Sequence, residues 1–281
     1  NRMNTLRKEL ALKKIEKERL QKEQEREMKE LLEKQNVELE AKVKERTLQL
    51  EEKNRIVEQD REIIRHERQK SDDLLLNILP NSIADRLKEG NEMIADHFDE
   101  VSVFFADLVG FTQLSKAMRP SELVNLLNKI FSEFDKTADK YGIEKIKTIG
   151  DAYMCVSGLP IADKDHASKM AHFALEILDV LKRFEPELGE HKCAVRIGVH
   201  CGPVVAGVIG KRKFAYDLWG DTVNLASRLE SHGVPMRVQC SENFAQALGA
   251  EFKLETRGEV ALKGAGTHTT YFLEKAEPVA T

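Results

Sequence analysis

The chain has 281 residues, 33% of them charged, and none of its Gly, Pro or aromatic residues falls in the first 70 positions: the first Pro is Pro80, the first Gly is Gly90 and the first aromatic is Phe98. This unevenness excludes one uniform globular fold, and the ordinary apolar content of the remainder excludes disorder there. Residues 1–70 carry 20 Lys and Arg against 17 Asp and Glu and the rest carries 24 against 31, so neither part has the basic stripe that a nucleic-acid partner demands.

Residues 1–70 are nearly all strong helix formers and predict one long helix. Its polarity makes a partner necessary, and the column Asn36, Val43, Leu50, Val57 and Ile64, backed by Leu32, Leu39, Ile56 and Ile63, supplies a heptad seam. An Asn in that column favours a two-stranded parallel coiled coil in fixed register. The alternative is a solvated single helix or an unstructured charged tail. Residues 71–97 form a junction: polarity drops from Ser71 to Pro80, Pro80 breaks the helical ladder, and a short helix from Asn81 to Lys88 ends near Gly90.

From residue 98 to 275 the periodicities alternate. Val101 to Asp107 reads as a buried strand and Ser121 to Tyr141 as an amphipathic helix. Glu144 to Ile149 and Tyr153 to Val156 read as two strands about a Gly150-Asp151 turn, and Asp165 to Phe184 as a long helix. Cys193 to Val199 follows as a strand, then Val204 to Ile209 and Lys213 to Leu218 as a hairpin about Gly210-Lys211-Arg212, then a helix from Thr222 to Ser231. This order is the βαββαβ pattern of a ferredoxin-like core with a further α/β extension, an α+β fold; residues 276–281 are a tail.

Asp107 ends an apolar strand and is followed by a Gly-containing turn into a helix start, a place where backbone N–H groups face an anion. Asp151 sits at a hairpin turn whose strands would lie beside the first. Two carboxylates brought together this way repel unless a cation lies between them, and hard oxygen ligands near phosphates select Mg²⁺ or Mn²⁺.

The strings FADLVGFT, KIKTIGDAYM, RIGVHCGPVVAGVIGKRKFAYDLWGDTVNLASRL and ALKGAG resemble, in order and over essentially all of residues 98–275, the class III nucleotidyl cyclase catalytic domain. The resemblance implies a homodimer in which two catalytic domains pair head to tail and share their active sites. It implies that Asp107 and Asp151, with the backbone carbonyl of Leu108, hold two Mg²⁺ or Mn²⁺ ions per site. It assigns backbone donors for the phosphates to Gly110, Phe111 and Thr112, ribose and transition-state contacts to Asn224 and Arg228, and terminal-phosphate contacts to Lys263 and Arg212. Lys147 and Asp217 match the pair that reads the base. A Lys donor and an Asp acceptor complement the N1 acceptor and N6 donor of adenine, whereas guanine reverses that edge, so the pair favours ATP.

The expected reaction is therefore conversion of ATP to 3′,5′-cyclic AMP and pyrophosphate. A guanylyl cyclase would need a base pocket of opposite polarity. A catalytically silent nucleotide-binding or dimerisation module would have lost a metal Asp, the Asn or the Arg, and all are present on this one polypeptide. His66 on the rod would suit a histidine-kinase dimerisation helix, but no kinase ATP-binding motif follows, and it reads as a surface residue.

There is no run of 18 apolar residues and no apolar leader. The start at Asn1 suggests a piece of something longer, with a sensor or membrane segment upstream, a cytoplasmic catalytic region, and the rod passing a signal between them. Cys155, Cys193, Cys201 and Cys240 show no metal or disulfide spacing and read as reduced structural thiols.

Overall fold

A computed structural model describes residues 2–91, 93–184, 193–210 and 214–276. The chain divides into two units, Asn1–Asp73 and Leu74–Thr281.

Helix α1 (Arg2–Leu76) runs through the first unit and on to Leu76, six residues past the end predicted from composition. Its 75 residues correspond to about 110 Å at 1.5 Å per residue. The ion pairs along it join residues three or four apart, among them Arg26 with Glu30 at 3.2 Å and Arg55 with Glu52 at 2.8 Å. Such pairs stabilise a helix by only a few tenths of a kcal/mol each. Leu39, Val43, Leu50 and Ile64 are all exposed, as is His66.

In the second unit, α2 (Asn81–Lys88) starts directly after Pro80, as predicted, because Pro fits a helix entrance and not its interior. There follow β1 (Ile94–Val109), α3 (Phe111–Ala117), α4 (Pro120–Tyr141), β2 (Glu144–Ile149), β3 (Ala152–Ser157) and α5 (His166–Lys182). The remainder is β4 (Ala194–Ile209), β5 (Ala215–Trp219), α6 (Asp221–Ser231), β6 (Val238–Ser241), α7 (Glu242–Ala247), β7 (Phe252–Leu262) and β8 (Gly266–Lys275). Among the described residues the sheet has eight strands in the order β2-β3-β1-β4-β6-β8-β7, with β5 pairing on β4. The first four strands, with α4 and α5, form the predicted ferredoxin-like core; β6 to β8 and α7 are its extension.

Both faces of the sheet are covered, which explains the apolar run Val103-Phe104-Phe105-Ala106 in β1. Phe104, Ala106 and Leu108 pack with α4, α5 and α7 on one face, while Val101, Val103 and Phe105 pack with α2 and α6 on the other. A strand buried on both sides needs apolar residues at every position instead of alternate ones.

The prediction split this stretch into two strands, Cys193 to Val199 and Val204 to Ile209, and this is corrected: β4 is continuous from Ala194 to Ile209. Pro203 has no N–H for the ladder, and β1 shifts register opposite it, pairing Phe98 with Val204 and then Val101 with Gly202. A bulge in the partner strand is how a sheet interior accommodates proline. The same strand presses against α6. A Cβ at Gly198 would overlap the backbone N of Glu230 and lie 2.6 Å from the carbonyl O of Ala226, and one at Gly202 would lie 2.8 Å from Thr222 Oγ1. Two glycines four apart on one face of β4 thus form the seat of α6.

Candidate active site

Asp107 lies in the last turn of pairing on β1, opposite Ala152 of β3 on one side and Arg196 of β4 on the other. Gly150 takes a left-handed φ of 65° in the β2–β3 turn, and Leu108 N donates to Asp151 O at 3.4 Å, so this turn folds onto the end of β1. The two predicted carboxylates are therefore neighbours. Burial raises the Asp151 carboxyl above its usual range, and the charge of Asp107 adds to the rise while Arg196 opposes it. A pair of hard oxygen donors that destabilise one another's charge is the chemistry that accepts a divalent cation. Among the described residues no group of three or more His, Cys, Asp or Glu is placed to hold a metal ion.

Arg196 and Glu230 went unnoticed in the sequence. Arg196 Nη2 donates to Asp107 Oδ2 at 2.7 Å and its Nε donates to Glu230 Oε1 at 3.1 Å. Burial, reinforced by Asp107, pushes the Glu230 carboxyl up to about 7 in spite of Arg196. An Arg between the buried residues Val195 and Ile197 was the available signal, since a cation inside an apolar strand demands a partner.

Lys147 and Asp217 are brought together as an ion pair, although β2 and β5 are not neighbours in the sheet. The cause is a register shift in β2 between Lys145 and Lys147. In an even strand the two lysines would share a face; here Lys145 reaches Asp135 of α4 at 2.8 Å while Lys147 turns to Asp217. Asp217 Oδ1 also accepts from Leu218 N at 2.9 Å, which fixes the carboxylate.

Asn224 and Arg228 lie on the exposed stripe of α6, whose Thr222, Ala226 and Leu229 are buried. Asn224 lines a cleft of about 680 Å³ together with Trp219, Asp221, His200, Gly264 and Ala265. Lys263 is exposed in the β7–β8 turn whose Gly264 and Ala265 form one wall of that cleft. Neither Asp107 nor Asp151 lines it. Gly110, in a left-handed conformation at φ 89°, leads into α3 with Phe111 at its first position and Thr112 exposed. Arg212 lies outside the described residues. All four cysteines are free, and burial pushes Cys193 and Cys201 up to about 11 and Cys240 to about 12, which keeps them as unreactive thiols. Among the described residues no helix is long and apolar enough to cross a membrane.

Comparison with known proteins agrees with this architecture. The family model for the adenylate and guanylate cyclase catalytic domain matches residues 93–275. An adenylate cyclase of Mycobacterium tuberculosis is 43% identical over 212 residues, 75% of this chain and 48% of the relative, so the chain spans about half the length of that protein. The guanylate cyclase soluble subunit beta-2 of Rattus norvegicus is 42% identical over 209 residues, covering 74% of this chain and 30% of the relative. Among solved structures, the guanylate cyclase domain of RhGC from Catenaria anguillulae in complex with GTP superposes with a TM-score of 0.62 at 36% identity, covering 65% of this chain and 100% of that one. The motifs, the strand order and these matches together show that the chain belongs to the adenylate and guanylate cyclase catalytic domain family.

Proposed function

We propose that this protein converts ATP to 3′,5′-cyclic AMP and pyrophosphate at sites shared between the two protomers of a homodimer. The observation that carries the choice of ATP is the Lys147–Asp217 pair, which sets a fixed donor beside a fixed acceptor. Adenine satisfies both; guanine would set donor against donor and acceptor against acceptor at this partly exposed pair, a mismatch worth several factors of ten in discrimination.

In the reaction the ribose 3′ oxygen forms a bond to the α-phosphorus as the bond from that phosphorus to the pyrophosphate oxygen breaks, and the 3′ proton is released. Asn224 orients the ribose, and Arg228, one helical turn on, spreads its charge over the phosphate oxygens as negative charge shifts to the leaving group. Lys263 and Arg212 hold the terminal phosphates, and the backbone N–H groups of Gly110, Phe111 and Thr112 contact them on the other side. Two Mg²⁺ or Mn²⁺ ions held by Asp107, Asp151 and the Leu108 carbonyl would supply positive charge to both the attacking and the departing oxygen.

The sharing of sites is supported by the separation within one chain: Asn224 and the β7–β8 turn share a cleft that the two carboxylates do not line. Head-to-tail pairing would bring one protomer's carboxylates to the other's cleft. Val205, Ile209, Phe214 and Trp219, exposed on and beside the β4–β5 hairpin, offer an apolar surface for such a partner. The exposed seam of α1 supports a parallel coiled coil that raises the effective concentration of the two catalytic domains. An upstream sensor or membrane segment would act through that rod on a catalytic region in the cytoplasm.

Cyclic nucleotide formed from ATP and from GTP, measured in parallel with Mn²⁺, tests the proposal. Preference for ATP is expected. The second reading, a guanylyl cyclase, is favoured by the near-equal identity of the rat relative, and preferential turnover of GTP would establish it.

A further inference from the structure

Arg196 joins three elements. Its guanidinium donates to Asp107 of β1 at 2.7 Å and to Glu230 of α6 at 3.1 Å, while its own backbone lies in β4. The three side chains are shielded, with exposures of 31% for Arg196, 23% for Asp107 and 11% for Glu230. Glu230 cannot drift, because α6 is seated on Gly198, where even a methyl group would overlap the Glu230 backbone. The anchored carboxylate therefore fixes where the guanidinium sits, and Asp107 Oδ2 takes its outer edge.

A cation that enters at Asp107 must compete with this guanidinium for the same oxygen. Were Asp107 its sole partner, displacing Arg196 would strand a partly buried positive charge, which is strongly unfavourable. Glu230 removes that obstacle, since Arg196 keeps one charged hydrogen bond whichever way Asp107 turns.

We infer that Glu230 is a positioning residue for Asp107: by retaining Arg196, it lets Asp107 exchange the guanidinium for a divalent cation. The inference rests on the reading of Asp107 as a metal-binding carboxylate. It assigns a role in cation uptake to a residue of the helix that carries Asn224 and Arg228, so one ion-paired triad ties that helix to the carboxylate end of the same chain.

The test is a titration of the full chain with Mn²⁺ alone, with free Mn²⁺ followed by electron paramagnetic resonance and no nucleotide present, so that turnover does not enter. Glu230→Gln should weaken Mn²⁺ binding about tenfold, Arg196→Gln should tighten it, and in the Arg196→Gln background Glu230→Gln should change it less than about twofold, because the two act as one unit. A loss of equal size in both backgrounds would mean that Glu230 acts only through its general negative field, and would overturn the inference. So would unchanged binding in Glu230→Gln. If thermal melting shows that Glu230→Gln does not fold, Glu230→Asp, which shortens the reach to Arg196, takes its place: undiminished Mn²⁺ binding in that variant overturns the role. Asp107→Asn separates the two levels of the argument. Undiminished binding in that variant defeats the metal reading and the positioning role with it, whereas its loss together with an indifferent Glu230→Gln defeats the positioning role only.

Discussion

The rod and the catalytic unit use the same residue types to opposite ends. From Leu12 to Ile64 the Leu, Ile and Val side chains stand in solvent, and the ion pairs join neighbours one turn away. In Leu74–Thr281 the apolar side chains fill both faces of a sheet, and the ion pairs at the candidate site join residues 34, 70 and 89 positions apart. The first unit is held within its own chain by contacts one turn apart. The second has its own core on both faces of the sheet. A protein built this way can have its fold and its activity set by different surfaces.

The largest effect expected on that contrast is Asp107→Ala, which should cut cyclic nucleotide formation by about 10³-fold while the circular dichroism of both units is unchanged. Retained turnover would show that the carboxylate end of the catalytic unit is not part of the site. Gly198→Ala should lower the unfolding free energy of the catalytic unit by about 3 kcal/mol in urea, because the added methyl lifts α6 from β4. The rod should not respond. Exchanging the base pair, Lys147→Glu with Asp217→Cys, should shift the ratio of ATP to GTP turnover by about tenfold or more towards GTP without changing either fold.

A smaller effect sets the rod apart. Val43→Lys with Leu50→Lys places like charges in the exposed seam and should shift the chain towards monomer in sedimentation at micromolar concentration. Turnover should then rise more than linearly with protein concentration, whereas the melting temperature of the catalytic unit stays within a few degrees of the parent. Linear turnover would mean that the seam does not pair the catalytic units.

The smallest expected effect is in the pH dependence of stability, where two buried groups oppose each other. Burial pushes His200 down to about 4, so its contribution is present above its unfolded value of 6.5 and is lost as the pH falls towards 4. Burial pushes Glu230 up to about 7, so its contribution is present below its unfolded value of 4.5 and is lost as the pH rises through 7. Between pH 6.5 and 5 the two changes have opposite sign and similar size, and the parent should be nearly flat. Glu230→Gln should uncover the His200 term, a loss of about 1–2 kcal/mol over that interval in urea unfolding. A flat profile in that variant would show that His200 is not held neutral by the fold.

Much of the molecule follows from local pattern. Absence of Gly, Pro and aromatics marks the rod, Pro80 marks the start of α2, and the apolar run of β1 marks a strand covered on both faces. The likeness of Asp107 and Asp151 to a cation site was readable because each sits at a strand end or turn, where few residues intervene between backbone and chemistry. The helix end at Leu76 was not, since helix formers continue past residue 70 and only Pro80 stops them.

What sequence alone determined is therefore the list of elements, the family resemblance and the residue types the chemistry requires, because these depend on neighbours along the chain. The tertiary structure decided the rest. It carried β4 through Pro203 because β1 bulges opposite it, turned Lys147 away from Lys145 because β2 shifts register between them, and set Glu230 against Arg196 because two glycines let α6 lie on the sheet. Each of these depends on contact between segments distant in sequence, where the energy of a charge or a missing N–H is settled by what lies across the gap and not by what lies beside it in the chain.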